Sequence, residues 1–186
     1  MTVETSLAEA TDKMHKAIAH LKEDLATIRT GRAAPALLNR VTVEYYGAPA
    51  PLNQLAAITV PEPRLLMITP FDKSSISTIE KAIQSSDIGV TPSNDGNVIR
   101  LAFPPLTEER RKDLVKTVHH RAEEGRVAIR NVRRHAKEEL ERLERESSIS
   151  EDDLKRAEKE LQRLTDQSVA EIDEIQSHKE QELMEV

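Results

Sequence analysis

The sequence predicts an α+β protein of two domains: an elongated antiparallel three-helix bundle with a small α/β domain (mixed sheet plus helix) inserted into it. Three observations carry this. All nine prolines and all four aromatics lie between Pro35 and Pro105, and four of the five glycines fall between Gly31 and Gly96. The flanks, residues 1–30 and 106–186, hold no proline and one glycine, Gly125. Proline and glycine interrupt helices and mark turns, so composition alone separates helical flanks from a turn-rich middle. Finally, apolar residues recur at steps of three and four in the flanks but alternate in the middle. The bundle is expected over 1–30 and 106–186 and the inserted domain over 31–105. An insertion requires its two ends to lie close together.

In the first flank Leu7, Ala10, Met14, Ala17, Leu21, Leu25 and Ile28 form a narrow apolar stripe. A second stripe runs through Val118, Ala122, Gly125, Ile129, Val132, Ala136, Leu140 and Leu143, and a third through Leu154, Ala157, Leu161, Leu164, Ser168, Ile172 and Ile175. A single amphipathic helix of this kind cannot bury its stripe, but three together can. Mutual satisfaction of the stripes also makes a monomer the expectation. The segment ESSIS at 146–150 breaks the last two helices, and Ser150 with Asp153 has the spacing of a capping box. In the middle, Val41, Val43 and Tyr45 alternate with polar residues, and Gly47–Pro51 reads as a turn. Residues 54–60 and 65–69 read as strands around a turn at Pro61-Glu62-Pro63. Ile76, Ile79 and Ile83 have helical spacing, and Asn94-Asp95-Gly96 is a turn signal before a strand at 98–103. The aromatics are expected in the core of this domain.

The chemistry carried by the sequence is that of binding. Cysteine is absent, which removes thiol catalysis and Cys-ligated metals. No phosphate-binding glycine loop, nucleophile elbow or HExxH motif occurs, and no two histidines stand four apart. No enzyme activity, cofactor or metal is expected. No apolar run approaches the roughly 20 residues of a membrane span, and the N-terminal segment has no signal-peptide core, so a cytoplasmic protein without a membrane partner is the expectation. Charge is uneven: residues 106–145 hold 12 Lys/Arg against 9 Asp/Glu, and 146–186 hold 5 against 13. Within Gly125–Lys137 there are five basic residues and no acid. At about 100° per residue, Arg126, Arg130, Arg133, Arg134 and Lys137 share an arc of roughly 100°, turned away from the Ile129/Val132/Ala136 stripe. Such a row is compatible with a solvated face neutralised by the acidic third helix. It is equally compatible with a face that reads phosphates, for which the guanidinium fork is suited.

The stretches IRTGRAAPALL (28–38), VEYYG (43–47), PLTEERRK (105–112), RVAIRNVRR (126–134), ISEDD (149–153) and KEQELMEV (179–186) follow one another in an order that closely resembles the bacterial ribosome recycling factor family. The resemblance implies an L-shaped pair of domains joined by a hinge. It also implies action on the post-termination ribosome with elongation factor G, whose GTP hydrolysis drives separation of the subunits and release from mRNA. By motif, it places ribosomal RNA contacts at Arg133, Arg130 and Arg134, with Arg126 and Lys137 on the same arc. It adds Arg110, Arg29 and Arg32 near the RNA-facing end or hinge. The hinge is expected at Thr30 and Gly31 on one connection and at Phe103, Pro104, Pro105 and Leu106 on the other. Glycine leaves helical dihedrals cheaply, and paired prolines continue neither ladder nor helix.

Overall fold

The computed structural model describes residues 1–185; Val186, the last residue of the expected bundle segment, lies outside them. In chain order the elements are α1 (Val3–Ala26), β1 (Thr42–Tyr45), β2 (Ala48–Pro51), α2 (Leu52–Leu55), β3 (Ala56–Glu62), β4 (Leu65–Pro70), α3 (Ile76–Gln84), β5 (Ser93–Asn94), β6 (Ile99–Ala102), α4 (Glu108–Arg145) and α5 (Glu151–Met184). Tight 3-10 turns occupy Pro35–Leu38 and Lys73–Ser75. The chain divides into two compact units, Met1–Arg29 with Glu108–Glu185, and Thr30–Thr107.

The first unit is a bundle in which α1, α4 and α5 all pack on one another. Its core is Ala10, Met14, Ile18, Leu21, Leu25 and Ile28 against Leu114, Val118, Ala122, Ile129, Leu140 and Leu143, closed by Ala157, Leu161, Ile172 and Leu183. Each buried Leu or Ile contributes about 1.5–3 kcal/mol. In α1 the buried row runs through Ser6 and Ile18, while Leu7 and Ala17 of the expected stripe are only half-buried. The helix touches two neighbours, so its seam lies between two rows. Gly125 marks where the three helices converge. A Cβ there would stand 3.4 Å from Ile172 Cδ1 and 3.5 Å from Leu21 Cδ2.

The helix ends are built locally. Thr2 Oγ1 accepts from Thr5 N–H at the start of α1, satisfying an orphan donor. The last turn of α1 carries no basic residue. Arg121 of α4 supplies the missing charge, donating from Nη1 to the Asp24 carbonyl and to Asp24 Oδ1, both at 3.0 Å. Between α4 and α5, Ser147 adopts φ 59°. Its N–H donates to Glu144 O and that of Ser148 to Leu143 O, both at 2.9 Å. This is a Schellman ending with serine in the left-handed position. The capping box then starts α5, Asp153 N–H donating to Ser150 Oγ at 3.0 Å and Ser150 N–H to Asp153 Oδ2 at 3.3 Å.

The second unit holds two sheets, β1-β2 and β3-β4-β6-β5, over the apolar face of α3. The expected mixed sheet is corrected: every pairing is antiparallel. The connections within the β1–β2, β3–β4 and β5–β6 pairs are about two to four residues, too short for a parallel crossover, which needs a dozen or more. Strand β4 reaches its neighbour β6 through the longer excursion that holds α3 and β5, and pairs with it antiparallel as well. Ala48–Pro51, expected as a turn, is strand β2. The loop is two residues, Tyr46-Gly47, which makes Tyr45 and Ala48 the closing hydrogen-bonded pair. Alternation then puts Pro49 and Pro51 at sites that require no N–H, so prolines fit this edge. Likewise β3 runs through Pro61 and Glu62, and its turn is Pro63-Arg64.

The core of this unit is aliphatic: Leu38, Val41, Val43, Leu52, Leu66, Ile68, Ile79, Ile83, Ile99 and Leu101, joined by Phe103. The expectation that all four aromatics are core is therefore corrected. Phe103 is buried and Tyr45 half-buried, but Tyr46 is 84% and Phe71 71% exposed. Small β-branched and branched residues fill the space between the short strands and α3 and leave no room for two further rings.

Candidate nucleic-acid interface

The basic row of α4 separates into two parts, according to what α5 places opposite. Helices α4 and α5 run antiparallel from the turn at 146–150, so Arg126 meets residues near 173–176 and Arg133 meets residues near 162. Opposite Arg126 stand acceptors. Its Nε donates to Asp173 Oδ1 at 2.8 Å, its Nη1 to Glu123 Oε2 at 3.1 Å, and its Nη2 to Gln176 Oε1. Only 12% of its side chain is exposed. Arg126 thus clamps α4 to α5, and its place in the exposed row is corrected. A helical wheel averages along the helix and cannot register that the facing helix changes character.

Arg130, Arg134 and Lys137 are exposed, and Arg133 is half-exposed. Arg130 Nη1 lies 3.3 Å from Glu123 Oε1, and Lys137 Nζ 3.7 Å from Glu141 Oε1; both are partners on the same helix. Arg133 Nη1 donates to a neutral acceptor, Gln162 Oε1, at 3.3 Å. The Glu123 carboxyl is held below its ordinary pKa, first by the hydrogen bond from Arg126 and then by that from Arg130. It is ionised at neutral pH and compensates Arg130 in part. Surface pairs of this kind contribute about 0–1 kcal/mol and exchange readily for a better anion.

Two residues join the row that the sequence reading passed over. Lys155 and Lys159 of α5 line a shallow groove with Arg133, Lys137, Glu158 and Gln162. Four cations and one carboxylate therefore border a cleft between two helices, and two of the cations come from α5, the more acidic of the two in sequence. The signal was available: 155 and 159 are one turn apart, and reflecting the antiparallel register about the 146–150 break sets 159 beside 137 and 155 one turn nearer the break. A neighbouring groove is lined by Arg130, Arg133, Gln162, Thr165, Asp166 and Asp173, so positive charge declines from the Lys155/Lys159 groove toward Arg126.

The other expected contacts lie elsewhere. Arg29, just beyond α1, and Arg110, in the first turn of α4, are exposed in the helical unit; Arg32 is exposed in the other. Of the expected hinge residues, Gly31 has φ +77°, and a Cβ on it would meet Leu106 Cγ at 3.3 Å. The two connecting strands lie side by side there. Both are anchored to one turn, Ala33 N–H donating to Pro63 O and Phe103 N–H to Arg64 O, each at 2.8 Å. Phe103 is a buried core residue rather than a pliable one, which is a correction. Thr30 and Leu106 are half-buried, and Pro104 and Pro105 are exposed. Among the described residues no group of three or more His, Asp or Glu could hold a metal ion, and no helix is long and apolar enough to cross a membrane.

A family model described as Ribosome recycling factor matches residues 21–184. The chain belongs to this family. Similar relatives include the ribosome-recycling factor of Shouchella clausii, 60% identical over 96% of this chain and 97% of that one. That of Acidothermus cellulolyticus is 58% identical over 99% and 100%. A solution structure of the ribosome recycling factor superposes with TM-score 0.82 at 44% identity, covering 100% of this chain and 99% of the other. A second solved structure contains the T. thermophilus ribosome recycling factor and the E. coli elongation factor G bound to the E. coli post-termination complex. The match has TM-score 0.66 at 51% identity and covers 98% and 99% of the two chains. The fold of the family is thus that of this chain, with two units built from long helices and short antiparallel strands.

Proposed function

We propose that this chain binds the post-termination ribosome and, with elongation factor G, separates the subunits and frees them from mRNA. The observation that carries the reading is the uncovered basic face of the bundle, Arg130, Arg133, Arg134 and Lys137, extended by Lys155 and Lys159. In a member of this family, the chemistry that fits such a face is the phosphate backbone of large-subunit ribosomal RNA. Guanidinium forks bind phosphate oxygens in pairs, and each contact releases counterions. Arg110, Arg29 and Arg32 are assigned supporting contacts, and Arg126 a structural one.

The chain itself performs no chemical step on this reading and needs no cofactor. GTP hydrolysis by elongation factor G drives the separation, and the chain transmits force between a face that grips RNA and a second unit that moves. The connections at Thr30-Gly31 and Pro104-Pro105-Leu106 are assigned as the hinge, supported by a glycine at positive φ beside two prolines without N–H groups. The cytoplasm, where ribosomes work, is the assigned location.

The test is subunit splitting of purified post-termination ribosomes with elongation factor G and GTP. The intact chain is expected to split them, and Arg133→Ala to do so only at higher protein concentration. Failure of the intact chain to split them would reject the reading.

A further inference from the structure

We propose that the Asp95-Gly96 pair is this chain's site of succinimide and isoaspartate formation, a covalent modification that the native turn keeps closed through Arg100 and Asn94. The chemistry joins a side-chain carboxyl to the backbone nitrogen of the next residue. The nitrogen bonds to Cγ, the carboxyl hydroxyl leaves with the amide proton as water, and a cyclic imide remains. Water then opens the imide at either carbonyl. One opening restores aspartate; the other gives isoaspartate, whose main chain runs through Cγ. No reactant beyond solvent water is needed. Glycine in the following position favours the step, because no Cβ shields the attacking nitrogen and the backbone turns freely. Of the five glycines, only Gly96 follows an aspartate, and none follows an asparagine.

The turn withholds both reacting groups. Asp95 Oδ1 accepts from the N–H groups of Asn97 and Val98, both at 2.9 Å, and Oδ2 accepts from Arg100 Nη1 at 2.7 Å. These donors favour the ionised form, the two backbone N–H groups most and Arg100 next. A carboxylate has no hydroxyl to lose. The same bonds commit the side chain to the nitrogens of residues 97 and 98 rather than to that of 96. The Gly96 nitrogen is engaged as well: its N–H donates to Asn94 Oδ1 at 2.6 Å, while Asn94 Nδ2 donates to Glu80 Oε2 at 3.0 Å. Glu80 stands on α3, so Asn94 tethers the turn to a helix of the same unit.

The liability and the turn share a cause. Gly96 holds φ +92°, a dihedral that residues with a Cβ reach only under strain. The glycine that lets the chain reverse is therefore the one that exposes Asp95 to attack. The pair is also open to water, since 44% of the Asp95 side chain is exposed. Residues 95–98 join β5 to β6 in the register Ser93 to Arg100 and Asn94 to Ile99. Isoaspartate lengthens the main chain of this loop by a carbon, and Ile99, fully buried in the core, stands directly across from Asn94. Conversion thus strikes the edge of the four-stranded sheet.

The test ages the full chain at neutral pH, folded and in guanidinium chloride, and locates isoaspartate by peptide mapping after enzymatic methylation of isoaspartyl carboxylates. In denaturant, residue 95 is expected to convert ahead of every other aspartate; conversion of another one first overturns the site. The folded wild type should convert residue 95 at least about tenfold more slowly, because the reaction waits for local opening of the turn. Equal rates folded and denatured would overturn the protection. Arg100→Gln and Asn94→Ala, each shown to be folded by an unchanged far-UV spectrum, should convert about threefold to tenfold faster than folded wild type, the opening that a lost hydrogen bond allows. A wild-type rate in either folded variant overturns the part assigned to that residue. Should a variant fail to fold, the comparison of folded with denatured wild type still decides whether the native turn guards the pair.

Discussion

Arg126 and Arg133 stand two turns apart on α4 and do opposite work. Arg126 closes three hydrogen bonds and is almost covered; Arg133 leans on one amide and keeps its charge available. Hydrogen bonds to charged groups contribute about 1.5–3 kcal/mol where they are sheltered. Arg126→Ala should therefore lower bundle stability by about 1–2 kcal/mol in urea melts. Arg133→Ala should leave the melt unchanged and weaken large-subunit binding by about tenfold in cosedimentation, one charged contact's worth. Both arginines look alike in RVAIRNVRR. What separates them is the facing residue on α5, which the sequence presents some 30 to 50 positions later. A second residue-scale prediction concerns Asp95. Its Oδ1 accepts from Val98 and Asn97 N–H, both at 2.9 Å, and Oδ2 from Arg100 at 2.7 Å. These hold its pKa down from the ordinary 3.8 to about 2. A carboxyl with a depressed folded pKa stabilises fully above its unfolded value and loses that contribution as pH falls through the folded one. Asp95→Asn should flatten the acid limb of the stability curve between about pH 4 and pH 2.

The elements divide by how locally they are determined. The long helices, the Ser150–Asp153 box and the Asn94-Asp95-Gly96 turn follow from spacing and from side-chain oxygens within four residues, and all were legible. Strand β2 was not, because Ala-Pro-Ala-Pro satisfies turn statistics as well as an edge strand. The two-residue loop that decides between them depends on Tyr46 accepting a left-handed dihedral. The same dihedral at Ser147 ends α4. The left-handed region costs a non-glycine residue about 1–2 kcal/mol, partly offset by the freedom glycine has when unfolded. Ser147→Gly should raise bundle stability by about 0.5–1 kcal/mol, read as a higher melting temperature with unchanged helicity. Gly31 gives the converse case. Gly31→Ala adds a Cβ 3.3 Å from Leu106 Cγ at φ +77°. The melting temperature should fall, by an amount equivalent to about 1–2 kcal/mol.

At the scale of the molecule, an acidic chain of net charge -6 presents a basic face because charge is sorted by helix and by turn, not spread. A partner within a Debye length of roughly 8–10 Å feels the face and not the total. The apolar periodicity that hides each stripe also fixes which residues remain outside. That is why the location of the face could be read from α4 alone, while its extension by Lys155 and Lys159 needed the register between two helices. The exposed aromatics of the second unit had no such signal, since composition reports that rings are present but not whether aliphatic residues have already filled the core.

The most direct test is the salt dependence of binding to purified large subunits, measured for wild type, Arg133→Ala and the Lys155→Ala/Lys159→Ala double variant. If these side chains neutralise RNA phosphates, affinity falls steeply with salt, and the log–log slope becomes shallower by about 1 for each phosphate contact removed. A slope indifferent to salt in the wild type, or identical in all three proteins, would contradict the account.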